Sequence, residues 1–167
     1  MIFKYLIPFD RFVISSRERP TEALQALRLE VEPRKRFRFP RRGAKAFEGE
    51  ISGSSFRIRR IIGYNNGFLP VVTGTVEPAP EGSHIHIHMR LSLYTIVFCA
   101  VWLLGVVLIG GSLLLAAAME QTLMSPGALA PIAMVLFFVL LINGGFWIEA
   151  AMQKKMLADV FRGIWLS

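Results

Sequence analysis

Two uncharged apolar runs, at 91–118 and 128–148, are separated by only nine residues, and they constrain this chain more than any other feature. Neither contains Asp, Glu, Lys, Arg or His. Each is long enough to cross a hydrocarbon core of about 30 Å as a helix rising about 1.5 Å per residue. Within a bilayer every backbone N–H and C=O must be paired inside its own segment or a closed barrel. Two such runs on a short connection therefore predict an antiparallel pair of spanning helices.

Charge sets the expected orientation. Residues 1–90 hold 16 of the 19 Lys and Arg and 9 of the 12 Asp and Glu, so the whole formal charge of +7 lies ahead of the first run. The connection between the runs carries only Glu120, whereas Arg90, Lys154 and Lys155 flank their outer ends. Cytoplasmic flanks are enriched in Lys and Arg, so both termini are expected in the cytoplasm, on a bacterial inner membrane crossed twice. Cys99, the one cysteine, lies inside the first run, so neither a disulfide framework nor a thiolate zinc site is available. The apolar patch at 2–9 is interrupted by Lys4 and Pro8 and lacks the form of a cleavable signal, which leaves the first run as the expected insertion signal.

Ahead of the runs the pattern is that of one small folded unit. Phe9 to Ser15 has the aromatic and β-branched content of a strand, and Pro20 opens a stretch with Ala23, Leu24, Leu27 and Val31 at helical spacing, closed by Pro33. From Phe47 onward the period becomes two. Phe47, Gly49 and Ile51, then Phe56 and Ile58, oppose charged or polar neighbours, with Gly53-Ser54 and Asn65-Asn66-Gly67 as turns. Strands at Val71 to Glu77 and from His84 onward follow, the last running into the first span. Beyond the second run, Met152, Met156, Leu157, Val160, Phe161, Ile164 and Trp165 recur at helical spacing.

The expected fold is an α+β membrane protein: a small antiparallel sheet with one or two covering helices plus a two-helix transmembrane hairpin. It divides into a cytoplasmic α+β domain at 1–90, a hairpin at 91–150 with spans at about 91–118 and 128–150, and an amphipathic C-terminal helix at 151–167. Two placements are open to that helix, the headgroup region or a return to the sheet as a second cover, and the second is favoured because the sheet otherwise has too little to bury it. Such a covered sheet resembles the helix-grip, START-like plan with a hairpin inserted before the last helix, an analogy of fold that implies no ligand.

Three segments could carry chemistry. Arg34, Lys35, Arg36, Arg38, Arg41, Arg42 and Lys45 form a basic stretch with Phe37 and Phe39 interleaved. Each cation held near anionic lipid contributes about 1 kcal/mol, within a Debye length of about 10 Å, so lipid headgroups are the expected partner. No RNA or DNA motif surrounds the stretch, and nucleic acid is not an expected partner.

His84, His86 and His88 share one strand face, where an H-x-H pair can aim two imidazoles at one metal ion. The first and third rings lie about 13 Å apart at ~3.3 Å per residue, and the only carboxylates that could approach are Glu48, Glu50 or Glu77 on neighbouring strands, so a half-exposed polar face is the simpler expectation. Asn143, followed by Gly144 and Gly145, is the single amide within the runs and is expected to pack the helices together. Without ionisable groups inside the spans, a transport pathway is disfavoured. No nucleophile, nucleotide or metalloprotease signature occurs, and no cofactor is predicted.

The segments Phe47-Glu48-Gly49, Phe56-Arg57-Ile58-Arg59-Arg60-Ile61-Ile62 and Tyr64-Asn65-Asn66-Gly67-Phe68-Leu69-Pro70, with Gly74, resemble a family of small uncharacterised bacterial membrane proteins. Members look alike over nearly the whole chain, with a short β-rich front and a two-helix hairpin behind it. Gly67 stands where the pattern has serine. The resemblance implies architecture and no activity.

The sequence thus points to a non-enzymatic, membrane-anchored cytoplasmic module that contacts anionic lipid or a protein partner and self-associates through its hairpin. Arg57, Arg59, Arg60, Tyr64, Asn65 and Asn66 are binding candidates around the expected loop. The alternatives are a metal-dependent enzyme built on His84 and His86, and an oligomerising effector that perturbs the membrane.

Overall fold

The computed structural model describes residues 7–33, 45–64, 66–123 and 125–166. β1 (Phe9–Ser16) alternates strictly, burying Asp10, Phe12, Ile14 and Ser16 while the residues between face outward. α1 (Pro20–Glu30) starts where proline needs no N–H partner, and the Glu22 carboxylate accepts the Arg19 N–H at 3.0 Å. It buries Ala23 and Leu27, then stops as Val31 turns to extended geometry. Lys45 donates to the carbonyls of Arg28 and Val31 at 2.9 and 3.0 Å, satisfying groups that a helix end leaves without partners.

The remaining strands are β2 (Val31–Glu32), β3 (Phe47–Ser52), β4 (Ser55–Arg60), β5 (Val71–Ala79) and β6 (Gly82–Arg90). They are followed by α2 (Leu93–Met119), α3 (Pro126–Val160) and β7 (Gly163–Leu166). One seven-stranded sheet runs in the order β2-β3-β4-β5-β6-β1-β7, antiparallel throughout except between β2 and β3. The four strands anticipated from period-two patterning are β3 to β6. The two edge strands, two and four residues long, are too short to leave a pattern.

α2 and α3 are each long and apolar enough to cross a membrane, with mean hydropathy of 2.5 and 2.3 over their most apolar stretches. Only 6% and 11% of those stretches are buried, so they are not core helices of the sheet layer. They pack on each other where Gly110 meets Pro131 and where Trp102 stacks on Phe138 with ring centroids 3.8 Å apart.

The C-terminal part differs from expectation. There is no separate amphipathic helix at 151–167: the second apolar run and the amphipathic stretch form one continuous α3, and Gly163–Leu166 is a strand. Between Ile148 and Met152 the chain reads Glu149-Ala150-Ala151, all good helix formers, so nothing stops the helix at the end of the apolar run. It ends at Phe161, and Arg162 at φ 45° reverses the chain into β7. At about 1.5 Å per residue its 35 residues extend about 52 Å, longer than a hydrocarbon core requires, and the excess lies across the sheet.

That excess completes the core. Phe146, Ala150, Leu157 and Phe161 of α3 and Ala23 and Leu27 of α1 close over Phe12, Ile14, Phe56, Ile58, Val72, Ile85, Ile87 and Met89 of the sheet. Each large aliphatic side chain removed from water here contributes about 1.5–3 kcal/mol. Helices thus cover one face of the sheet, and the other face carries the polar residues of each strand.

Candidate functional site

Strand register arranges the uncovered face in rows. Glu50, Arg57, Thr73, His88 and Arg11 stand side by side across β3, β4, β5, β6 and β1. One step along the strands lie Ser52, Ser55, Thr75, His86 and Val13. A shallow depression of about 390 Å³ opens over the first four residues of these rows, floored by Phe56 and Gly74. Gly74 is required there: a Cβ would lie 2.4 Å from the Phe56 ring and 2.8 Å from the His86 carbonyl oxygen.

The histidines occupy this face as the alternation predicts, half-buried between Ile85, Ile87 and Met89, which point into the core. Arg11 Nε donates to His88 Nδ1 at 3.3 Å, so the neutral ring carries its proton on Nε2. Burial, then the positive charges of Arg11, His86 and Arg90, lowers the pKa of His88 and favours that neutral form. His86 Nε2 lies 3.6 Å from Glu77 Oε2. Among the described residues no three His, Cys, Asp or Glu groups converge as metal ligands, and the histidine strand offers no ready coordination shell.

The loop candidates separate into two sets. Arg57 belongs to the open face and makes no ion pair among the described residues, while Arg59 stands opposite Glu48 on the same face. Arg60, Tyr64 and Asn66 instead form a junction with α3. Arg60 donates to Glu149 Oε2 at 2.7 Å, and Tyr64 donates its hydroxyl to Glu149 Oε1. Asn66 donates to the Gly145 carbonyl at 3.3 Å and accepts the Phe68 N–H at 2.9 Å, closing a local Asx turn. Thr95, at the start of α2, donates to the Gly67 carbonyl at 2.8 Å. Asn65 lies outside the described residues.

Gly145 serves this junction too. A Cβ there would lie 3.2 Å from the Phe68 ring, so the glycine seats the loop aromatic on the helix, and Phe68 then meets Phe138 edge-on. Asn143 departs from expectation. Its side chain donates to Val139 O of its own helix at 2.8 Å and does not join α2 to α3. Space around Gly144 is open. A second ion pair, Lys154 with buried Asp10, ties α3 to β1, with Lys154 Nζ 4.7 Å from the centroid of the Phe12 ring.

Glu149 and Gln153, 2% and 0% exposed, are the residues that sequence reasoning missed. Their only signal is position: a carboxylate at the first residue beyond an uncharged run, and an amide four residues further on the same helix face. Of the basic stretch, Arg34, Lys35, Arg36, Arg38, Arg41 and Arg42 lie outside the described residues. The chain leaves for it after β2 and returns at Lys45, ahead of β3. Val31 pairs with Phe47 and Phe47 with Arg60, at the end of the sheet where Arg90 precedes α2.

No protein-family model, curated protein or solved structure matches this chain. The functional reading therefore rests on its own geometry. An apolar groove of about 410 Å³ between α2 and α3, lined by Trp102, Gly105, Gly110, Pro131 and Met134 among others, has no ionisable, hydroxyl or amide side chain on its lining.

Proposed function

We propose that this protein is a two-span membrane protein that holds a small sheet against one leaflet as a binding module, with its basic stretch on anionic headgroups. One observation carries the reading. A helix apolar enough to cross a bilayer continues without a break into the layer that covers the sheet, and Arg60, Tyr64, Asn66 and Thr95 lock that sheet to the helix pair. A sheet held this way has its α2 end fixed at the surface from which α2 and α3 emerge. The positions of Lys45 and Arg90 at the same end of the sheet support contact between the basic stretch and lipid phosphates, each cation adding about 1 kcal/mol. Both termini then lie on one side, the cytoplasmic side by the distribution of Lys and Arg.

The test uses the full chain in nanodiscs of phosphatidylcholine mixed with phosphatidylglycerol, with retained lipid counted by native mass spectrometry. The wild type should retain phosphatidylglycerol preferentially. Joint substitution of Arg34, Arg36, Arg38, Arg41 and Arg42 by Gln should remove that preference, leaving Lys45 to close α1. Equal retention by the two proteins would overturn the lipid assignment, and labelling of the two termini on opposite faces would overturn the two-span reading.

A further inference from the structure

We propose that the depression on the open sheet face is a binding site for a phosphate-type oxyanion, with Arg57 as its charge anchor and the hydroxyls of Ser55 and Thr75 as donors. The first support is the row order. β4 and β5 set Arg57 directly beside Thr73, whose hydroxyl donates to the His88 carbonyl at 3.5 Å, and Ser55 directly beside Thr75, so one guanidinium and the Ser55 and Thr75 hydroxyls line an area that a tetrahedral anion can span. Arginine presents several N–H donors in a planar fork that matches two oxygens of a phosphate. Arg57 makes no ion pair among the described residues and has this fork to offer.

The adjacent ring adds a donor of fixed sense. Arg11 occupies His88 Nδ1, which leaves Nε2–H of the neutral imidazole as a donor on a residue lining the depression. Arg11 itself adds positive charge behind the ring. The Ser55 and Thr75 hydroxyls and the His88 ring can therefore donate to an oxyanion. Glu50, beside Arg57 in the same row, is the one opposing charge on the lining, and it limits affinity. A metal ion fits this set poorly, because among the described residues no three His, Cys, Asp or Glu groups come together as ligands and the Arg57 guanidinium repels a cation.

Position along the strands bears on the source of the anion. His88 and His86 lie two and four residues from Arg90, hence about 7 and 13 Å from the end of the sheet next to α2 at ~3.3 Å per residue. A free phosphate and the phosphomonoester headgroup of a lipid share the chemistry the site reads, and experiment can separate them.

The full chain, labelled with 15N-histidine in phosphatidylcholine nanodiscs, is titrated with inorganic phosphate at constant ionic strength while the His86 and His88 ring resonances are followed. A parallel sample replaces free phosphate with phosphatidate in the disc. A saturable shift of both rings with inorganic phosphate assigns a soluble ligand, and the same shift with phosphatidate alone assigns the headgroup. Arg57→Gln should weaken either response at least tenfold, and Glu50→Gln should tighten it severalfold. Lys155→Gln, an exposed cation away from the depression, should leave it unchanged. No saturable shift in either arm, or an undiminished one in Arg57→Gln with the rest of the spectrum intact, would overturn the site. Because the inorganic-phosphate arm needs no anionic leaflet, it can fail or succeed independently of the basic stretch's contact with lipid.

Discussion

The junction on Glu149 invites a double-mutant cycle. Its carboxylate is 2% exposed and is held by Arg60 at 2.7 Å and by the Tyr64 hydroxyl. Arg60→Met keeps much of the aliphatic stem but leaves a buried charge with one neutral donor, a change that costs about 3–5 kcal/mol in well-buried pairs. Arg60 is 21% exposed, and water reaching the guanidinium screens the pair, so the expected loss is near the lower end, about 3 kcal/mol. Tyr64→Phe removes one hydrogen bond to a charged acceptor and should cost about 1.5–3 kcal/mol. Glu149→Gln added to Arg60→Met removes the orphaned charge and should recover about 1–2 kcal/mol relative to Arg60→Met alone. Urea titration of the full chain in micelles, followed by tryptophan emission, reads these differences through the midpoint at constant slope. A loss below about 1 kcal/mol for Arg60→Met, or a double variant worse than the sum of the singles, would refute the buried-pair account.

Other consequences are equally direct. Gly49→Ala should lose at least about 2 kcal/mol in the same titration, because its φ is +152° and a Cβ would lie 2.1 Å from the Arg57 carbonyl oxygen; a neutral result would contradict the described register. Gln153→Met should hold or raise stability by about 1–2 kcal/mol, since both amide atoms are buried with no partner among the described residues; a clear loss would mean that water satisfies them. For His88, the folded pKa lies below the ordinary 6.5, chiefly through burial and then Arg11, so the unfolded chain takes up the proton more readily. The stability it contributes is present above that value and is lost as pH falls through the folded pKa. Between pH 7 and 5 the wild type should therefore lose more stability than His88→Gln, and identical pH profiles would disprove the coupling.

Much of the architecture was readable from residue order because the dominant signals are periodic. Charge-free runs of helical length mark α2 and α3, and alternation such as Ser83-His84-Ile85-His86-Ile87-His88-Met89 marks β6 with its faces correctly assigned. Pro20 opens α1 as expected, but the helix ends at Glu30, and Val31, read as part of its apolar face, begins β2 ahead of Pro33. What escaped has no local signature. The continuity of α3 depends on the absence of a helix breaker near Glu149, and β2 and β7 exist because neighbouring strands offer an edge. The candidate site was half visible in the same sense. His84, His86 and His88 could be placed on a face, but their neighbours Arg57 and Arg11 come from strands 31 and 77 residues away from His88, and only register brings them there. Likewise, the conspicuous Tyr64-to-Pro70 segment suggested a binding loop, whereas its Tyr64 and Asn66 are spent on α3.

The route of α3 also has a consequence for biosynthesis. The strands β1 to β6 leave the ribosome first, yet Phe146, Leu157 and Phe161, which close their oily side, are translated only after α2 and nearly all of the second apolar run. Until then that surface is open to solvent and prone to stick to other nascent chains. Maturation of the sheet is therefore subordinate to delivery of the hairpin, and a ribosome stalled before codon 146 would release an aggregation-prone fragment in place of a usable soluble module.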